Sequence, residues 1–263
     1  MDWKKTLLSL ERNEEWDTAI AYMQNVIAEN PNDVDATICM NYLLMYSIVY
    51  ETYDYAIAEY RRFLAKKYFK ESYAKFSENA EYLFFTGLTA VMEFWNFDIE
   101  DEDIDNMLKK AVQLDRNNIL YTWGYSDVER NNLEDAELAK KLLTLGSASR
   151  KQLESKGAVG EYLIGIMETC SVTNKDKLQK NINEYLFGQI DTSSFCYACC
   201  CYYADGLRGG EFNQQEQKLF FELSKIADRY IESTKNPATY TGTPFLESEL
   251  KQKTLEVQQV LNI

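Results

Sequence analysis

The chain contains no histidine. The commonest general base and the commonest metal ligand are therefore missing. Ser-His-Asp, Cys-His and His-metal chemistry cannot be assembled within it. Proline is nearly as scarce, at three in 263 residues, and glycine stands at eleven. Sheet-rich chains need more turn residues than this, and disordered or low-complexity chains carry more of both. Long hydrophobic runs are also lacking. The longest uncharged stretches, residues 36–50 and 192–204, fall short of the ~20 residues that span a bilayer. The opening MDWKKTLLSLERNEEW has neither the apolar segment nor the cleavage site of a signal peptide. A cytoplasmic protein that does not enter the membrane is expected.

Positive charge is in deficit: Lys and Arg total 28 against 42 Asp and Glu, a formal charge of −14. Such a chain repels phosphate backbones, which argues against nucleic-acid binding. It suits a basic partner, although general solvation explains the same acidity. Apolar residues make up 46%, enough for one or two domains at about 100–200 residues each. Of six cysteines, Cys196, Cys199, Cys200 and Cys201 crowd into little more than a helical turn. That is a poor disulfide framework, and reduced thiols are expected.

What is present in quantity is helical periodicity. In ERNEEWDTAIAYMQNVIAENPNDVDA, Ala19, Met23 and Val26 share one helical face, and Pro31 follows the helix end. Trp3 stands on a preceding helical stretch, and Trp16 falls near the turn between the two. A second stretch, YDYAIAEYRRFL, sets Tyr53, Ala56, Ile57, Tyr60 and Leu64 at the positions of Trp16, Ala19, Ile20, Met23 and Ile27. LTAVMEF with IDNMLKKAVQLDRNN makes a third pair, with Gly87 and Ala111 at its small positions. LYTWGYSDVERNNLEDAELAKKLL makes a fourth, with Ala136 twelve residues after Gly124. Self-similarity at such a period marks stacked two-helix units.

These residues resemble the tetratricopeptide repeat, and the resemblance covers roughly residues 1–145. It implies an all-α, right-handed superhelix of antiparallel helix pairs, with residues 146–263 as a divergent helical extension. The polar-faced PFLESELKQKTLEVQQVL would be the capping helix. It also implies a groove lined by the first helix of each pair. Carried over to this sequence, the groove positions are Ile38, Tyr42, Met45 and Tyr46, then Phe84 and Leu88, then Tyr121 and Tyr125. Interhelix core is the competing reading for the same aromatic stripe. The family's clamp for C-terminal carboxylates is not reproduced, since Lys4 is present but Leu8 occupies the next clamp position.

Other clusters read as structural. In DIEDED, taking Asp101, Asp103 and Asp105 as calcium ligands puts Asn106 where glycine is needed and Val112 where a bidentate Glu belongs. Acids at that point instead favour a helix N-terminus. Cys196, Cys199 and Cys200 share a helical face but lack the second ligand pair of a structural zinc, so packing is the simpler reading. GLRGG lacks the preceding strand and the lysine of a phosphate loop. No cofactor is expected, and no catalytic residue. The expected function is a non-enzymatic scaffold holding a protein or peptide in an acidic, partly aromatic groove. Two alternatives remain: an immunity or antitoxin protein masking a basic toxin, and a small-ligand regulator or enzyme using the C-terminal half.

Overall fold

A computed structural model of the chain describes residues 3–51, 54–125, 132–235, 241–243 and 245–262. The described residues are helical, with no strand among them. In chain order the helices are α1 (Trp3–Arg12), α2 (Trp16–Glu29), α3 (Val34–Val49), α4 (Tyr55–Phe76), α5 (Ala80–Ala90), α6 (Asp101–Leu114) and α7 (Ile119–Gly124). They continue with α8 (Asn132–Leu142), α9 (Ala148–Glu154), α10 (Ala158–Cys170), α11 (Asn174–Leu186), α12 (Thr192–Arg208), α13 (Gln214–Lys235) and α14 (Glu247–Leu261). A short 3-10 turn, Phe94–Phe97, lies between α5 and α6. Contacts divide the chain into two compact units: Met1–Val128 with Ala139–Glu168, and Glu129–Leu138 with Thr169–Ile263.

Helix starts in the first unit are set by side-chain caps. Asp33 accepts from the Ala36 N–H at 3.0 Å, Asn79 from Tyr82 at 2.9 Å and Asn118 from Leu120 at 3.1 Å. Each satisfies an orphan donor of a helix first turn, which stabilises that end by about 1 kcal/mol. The acidic run does the same for α6: the Glu100 N–H donates to Asp103 at 2.9 Å.

α3 is the spine of this unit. Its sequence is apolar almost all round, and Ile38, Met40, Leu43, Leu44 and Met45 have no exposed surface, as a helix surrounded by others requires. It packs against α2, α4 and α5, and α5 packs in turn against α6 and α7. The small positions allow these approaches. A Cβ at Gly124 would stand 2.4 Å from Phe84 Cε2, and one at Gly87 would stand 3.0 Å from Leu108 Cδ2.

The expected register holds in α4 at Leu64 but fails at the positions before it. Ala56, Ile57 and Tyr60 face outward, and the buried stripe is Ala58, Arg61, Leu64, Ala65 and Phe69. Tyr53 lies outside the described residues. The physical reason is Arg61, which is only 4% exposed. Its guanidinium donates to the Ser47 carbonyl at 3.0 Å and pairs with Asp17 at 2.8 Å. A charged residue that finds such partners can take a core position, and a count of apolar residues then points to the wrong face. Tyr55, Tyr60 and Phe63 are left exposed on the opposite side.

In the second unit, α12 packs on α11 and α13, and α14 contacts both α13 and α11. The last helix thus returns to the first of the four. Its core joins Leu178, Ile182, Phe195, Cys196, Cys199, Phe220, Leu223, Leu250 and Val257. The Gln258 amide of α14 also donates to Asn183 of α11 at 2.7 Å.

Gly160 sets how α10 leaves α9, because a Cβ there would meet the Leu153 carbonyl oxygen at 1.8 Å. Gly160→Ala should therefore lower stability at the upper end of the about 1–3 kcal/mol seen for overpacking. Thermal melts followed by circular dichroism would read this, and an unchanged midpoint would refute the tight crossing.

Candidate functional site

The face built by α1, α3, α5 and α7 is where the expected groove residues lie. Within the first unit, that face is covered by the chain's own α9, the turn after it and the start of α10. The covering is polar as well as apolar. The Lys4 ammonium reaches the Ser155 carbonyl at 3.1 Å. Cys39 Sγ lies 3.7 Å from the Lys156 carbonyl. Gln152 donates to Glu81 at 3.0 Å and to the Tyr121 hydroxyl at 3.1 Å. Lys156, whose side chain is 3% exposed, pairs with Asp35, and with Glu81 at 2.8 Å. Burial alone would lower the pKa of the Lys156 ammonium, but the hydrogen bonds it donates to Asp35 and Glu81 outweigh that and hold the pKa above the usual lysine value. Burial would likewise raise Asp35, but Lys156 and Lys4 hold it below the ordinary carboxylate range.

This covering corrects part of the expected site. Ile38, Met45 and Phe84 have no exposed surface, and Tyr121 is buried under Gln152. These four are core, for the reason that aromatic and apolar stripes at helical spacing usually are. Leu88 and Tyr125 keep partial exposure. Tyr42 and Tyr46 border an open cleft.

That cleft, about 270 Å³, is lined by Leu8, Glu11, Arg12 and Trp16 from the first helix pair, by Tyr42 and Tyr46 of α3, and by Ala158, Glu161 and Tyr162 of α10. Its rings touch at an angle to one another. Tyr46 lies 5.7 Å from Trp16 at 38° and 5.5 Å from Tyr42 at 34°. Tyr162 lies 5.8 Å from Tyr42 at 50° and 6.5 Å from Tyr46 at 80°. Tyr50 extends the cluster, 5.0 Å from Tyr46. At the rim, Arg12 pairs with Glu161 at 2.9 Å.

Glu11 lies within this cleft and is only 9% exposed. Among the described residues its carboxyl has no hydrogen-bond donor and no salt-bridge partner. Burial, reinforced by repulsion from Glu161, pushes its pKa up to about 8. Burial likewise raises the tyrosines: Tyr42 is pushed up, and Tyr162 reaches about 12. Glu11, Trp16 and Tyr162 were not read from the sequence as a site. Trp16 was visible as an aromatic at a helix turn, but nothing local links Glu11 to residue 162.

The cysteines sit elsewhere. Cys196 and Cys199 are buried in the second unit's core, and Cys200 Sγ lies 3.7 Å from the Ser224 carbonyl. Burial pushes Cys196 up to about 12 and Cys200 to about 11. Few thiolates then exist at neutral pH, so these sulfurs are poor nucleophiles and ligands. No group of acidic or cysteine side chains among the described residues could hold a metal, and no described helix is long and apolar enough to cross a membrane.

Comparison with known proteins assigns no relative: no family model, no curated protein and no solved structure matches this chain.

Two predictions follow from this geometry. Lys156→Met leaves Asp35 and Glu81 without their shared cation and should cost about 3 kcal/mol, the lower end for breaking a buried pair because both carboxylates keep some solvent. Chemical denaturation would measure it, and a cost under about 0.5 kcal/mol, the size of a surface change, would refute the role given to Lys156. The second concerns pH. Glu11 stays protonated in the fold up to about pH 8, whereas its unfolded value is 4.5. Between these values the folded state binds the extra proton, so stability falls as pH rises by up to about 1.4 kcal/mol per unit and levels off above. Glu11→Gln should match the parent near pH 4 and melt higher at pH 9. Parallel melting curves across that range would refute it.

Proposed function

We propose that this protein is a non-enzymatic binding module that holds a protein or peptide partner through its first unit. The cleft of Trp16, Tyr42, Tyr46 and Tyr162 carries the reading. Tyr and Trp are favoured at interfaces because each offers a rigid ring and a polar edge. A binding surface made of such rings on a chain of net charge −14 fits a basic partner, whose approach the field would speed.

The tetratricopeptide-like stacking belongs to the same proposal. It is supported by the recurrence of an Asp or Asn cap before α3, α5 and α7, and by the packing of α3 on α5 and of α5 on α7. In such a stack the first helices would present the ligand face. Here the chain's own 148–162 segment lies on that face, so the partner is assigned to the open cleft at its α1 and α3 side.

An array of short basic and acidic peptides, probed with the purified full chain, tests the reading. Binding biased to basic peptides, weakened at least tenfold by Trp16→Leu and by Tyr46→Ala and reduced by salt, is the expected result. Binding unaffected by both substitutions would remove the cleft as the anchor.

A further inference from the structure

The cleft poses a chemical problem that the fold does not solve internally. Glu11 is nine-tenths buried, and among the described residues no donor reaches its carboxyl. A buried carboxyl without a partner is costly, and it must either hold a proton or find a cation. The cations that line the same pockets, Arg12, Lys4 and Lys156, are already taken. Arg12 is held by Glu161 at the rim, Lys4 by Asp35, and Lys156 by Asp35 and Glu81. Among the described residues none of these three cations is left to neutralise Glu11, yet the space beside it is open and lined by four rings.

We infer that this cleft binds one alkylammonium cation, with the positive head against Glu11 and the faces of Trp16, Tyr42, Tyr46 and Tyr162. The inference deepens the binding reading above and rests on it where the cation is a lysine side chain of the partner. Aromatic faces attract cations within about 6 Å of the ring centroid, and the attraction grows as the site is desolvated. The ring geometry selects among cations. A guanidinium is planar and prefers one flat face or a bidentate carboxylate. These rings are tilted by 34° to 80° to one another and line the cleft from different directions, which suits a compact, rounded ammonium or its methylated form. The volume of about 270 Å³ lies below the roughly 300–1,000 Å³ of a drug-sized site, enough for one such head and its methylenes.

Protonation gives the inference a second signature. The charged and titratable groups around Glu11 are Lys4 and Arg12 on α1, Tyr42, Tyr46 and Cys39 on α3 with Asp35 at its start, and Lys156, Glu161 and Tyr162 on the α10 side. A cation bound against Glu11 favours its ionised form, so binding releases a proton below about pH 8 and tightens as pH rises from 6 to 9.

The test is titration calorimetry of the full chain with choline, its uncharged isostere 3,3-dimethylbutan-1-ol, a capped tripeptide carrying lysine or trimethyllysine at its centre, and the same tripeptide with arginine there. The expected result is that choline or the lysine-type peptide binds at least tenfold tighter than the uncharged isostere and an arginine peptide. Glu11→Gln, which keeps the shape, should remove most of that preference and flatten the pH dependence. Binding of the peptides but not of choline identifies the cation as a partner's side chain. Binding of choline alone identifies a small ligand, and the partner reading then fails while the cation site stands. Equal binding of charged and uncharged probes, or an unaltered preference in Glu11→Gln, overturns the inference. If basic peptides still lose affinity on Trp16→Leu in that case, the partner reading survives without it.

Discussion

A buried ammonium has to be matched by carboxylates, or it does not stay buried. Lys156 is matched by Asp35 at the start of α3 and by Glu81 at the start of α5. These three side chains come from segments more than a hundred residues apart in part, and they lock the 148–162 segment onto the first helices. Gln152, Lys4 and Cys39 add hydrogen bonds along the same seam. The rest of the first unit follows from that docking. It buries Tyr121, places Tyr162 beside Tyr42 and Tyr46, and brings Glu161 near Glu11.

The same docking explains why the cleft is chemically unusual. Covering the face of α3 takes up the available cations, since Lys4 and Lys156 both turn to Asp35. Glu11 is desolvated by the segment that consumes its counter-charges. Structural ion pairing and the uncompensated carboxyl are therefore two results of one packing event. The first rigidifies the unit, and the second leaves a place where an outside cation lowers the free energy of the whole.

The helical nature of the chain was legible in its sequence, but the reach of α4 to Phe76, the start of α5 at Ala80 and the short α9 were not. Apolar period, the capping Asp and Asn residues, and the few prolines each point to local conformations that depend on neighbours three or four residues away. Ala19, Met23 and Val26 lie inward as their spacing predicts, and Ala111 is fully buried. α4 was misread for a physical cause. Arg61 occupies a core position because Asp17 and Ser47 lie across from it, and no periodicity of apolar residues reveals a partner 44 residues away. Of the expected groove, Tyr42 and Tyr46 border open space, while Ile38, Met45, Phe84 and Tyr121 are interior. The spacing identified a shared helical face but could not say what lies on it.

What the amino-acid order determined by itself is local: that the chain folds into helices, which chemistry is unavailable without histidine, and that buried thiols on α12 would serve as small apolar fillers. What only the tertiary structure decided is which surface remains open. That depends on a segment near residue 156 returning to residues 35 and 81. Ion pairing across such separations is set by the packed geometry of the helices, and local preference carries no record of it.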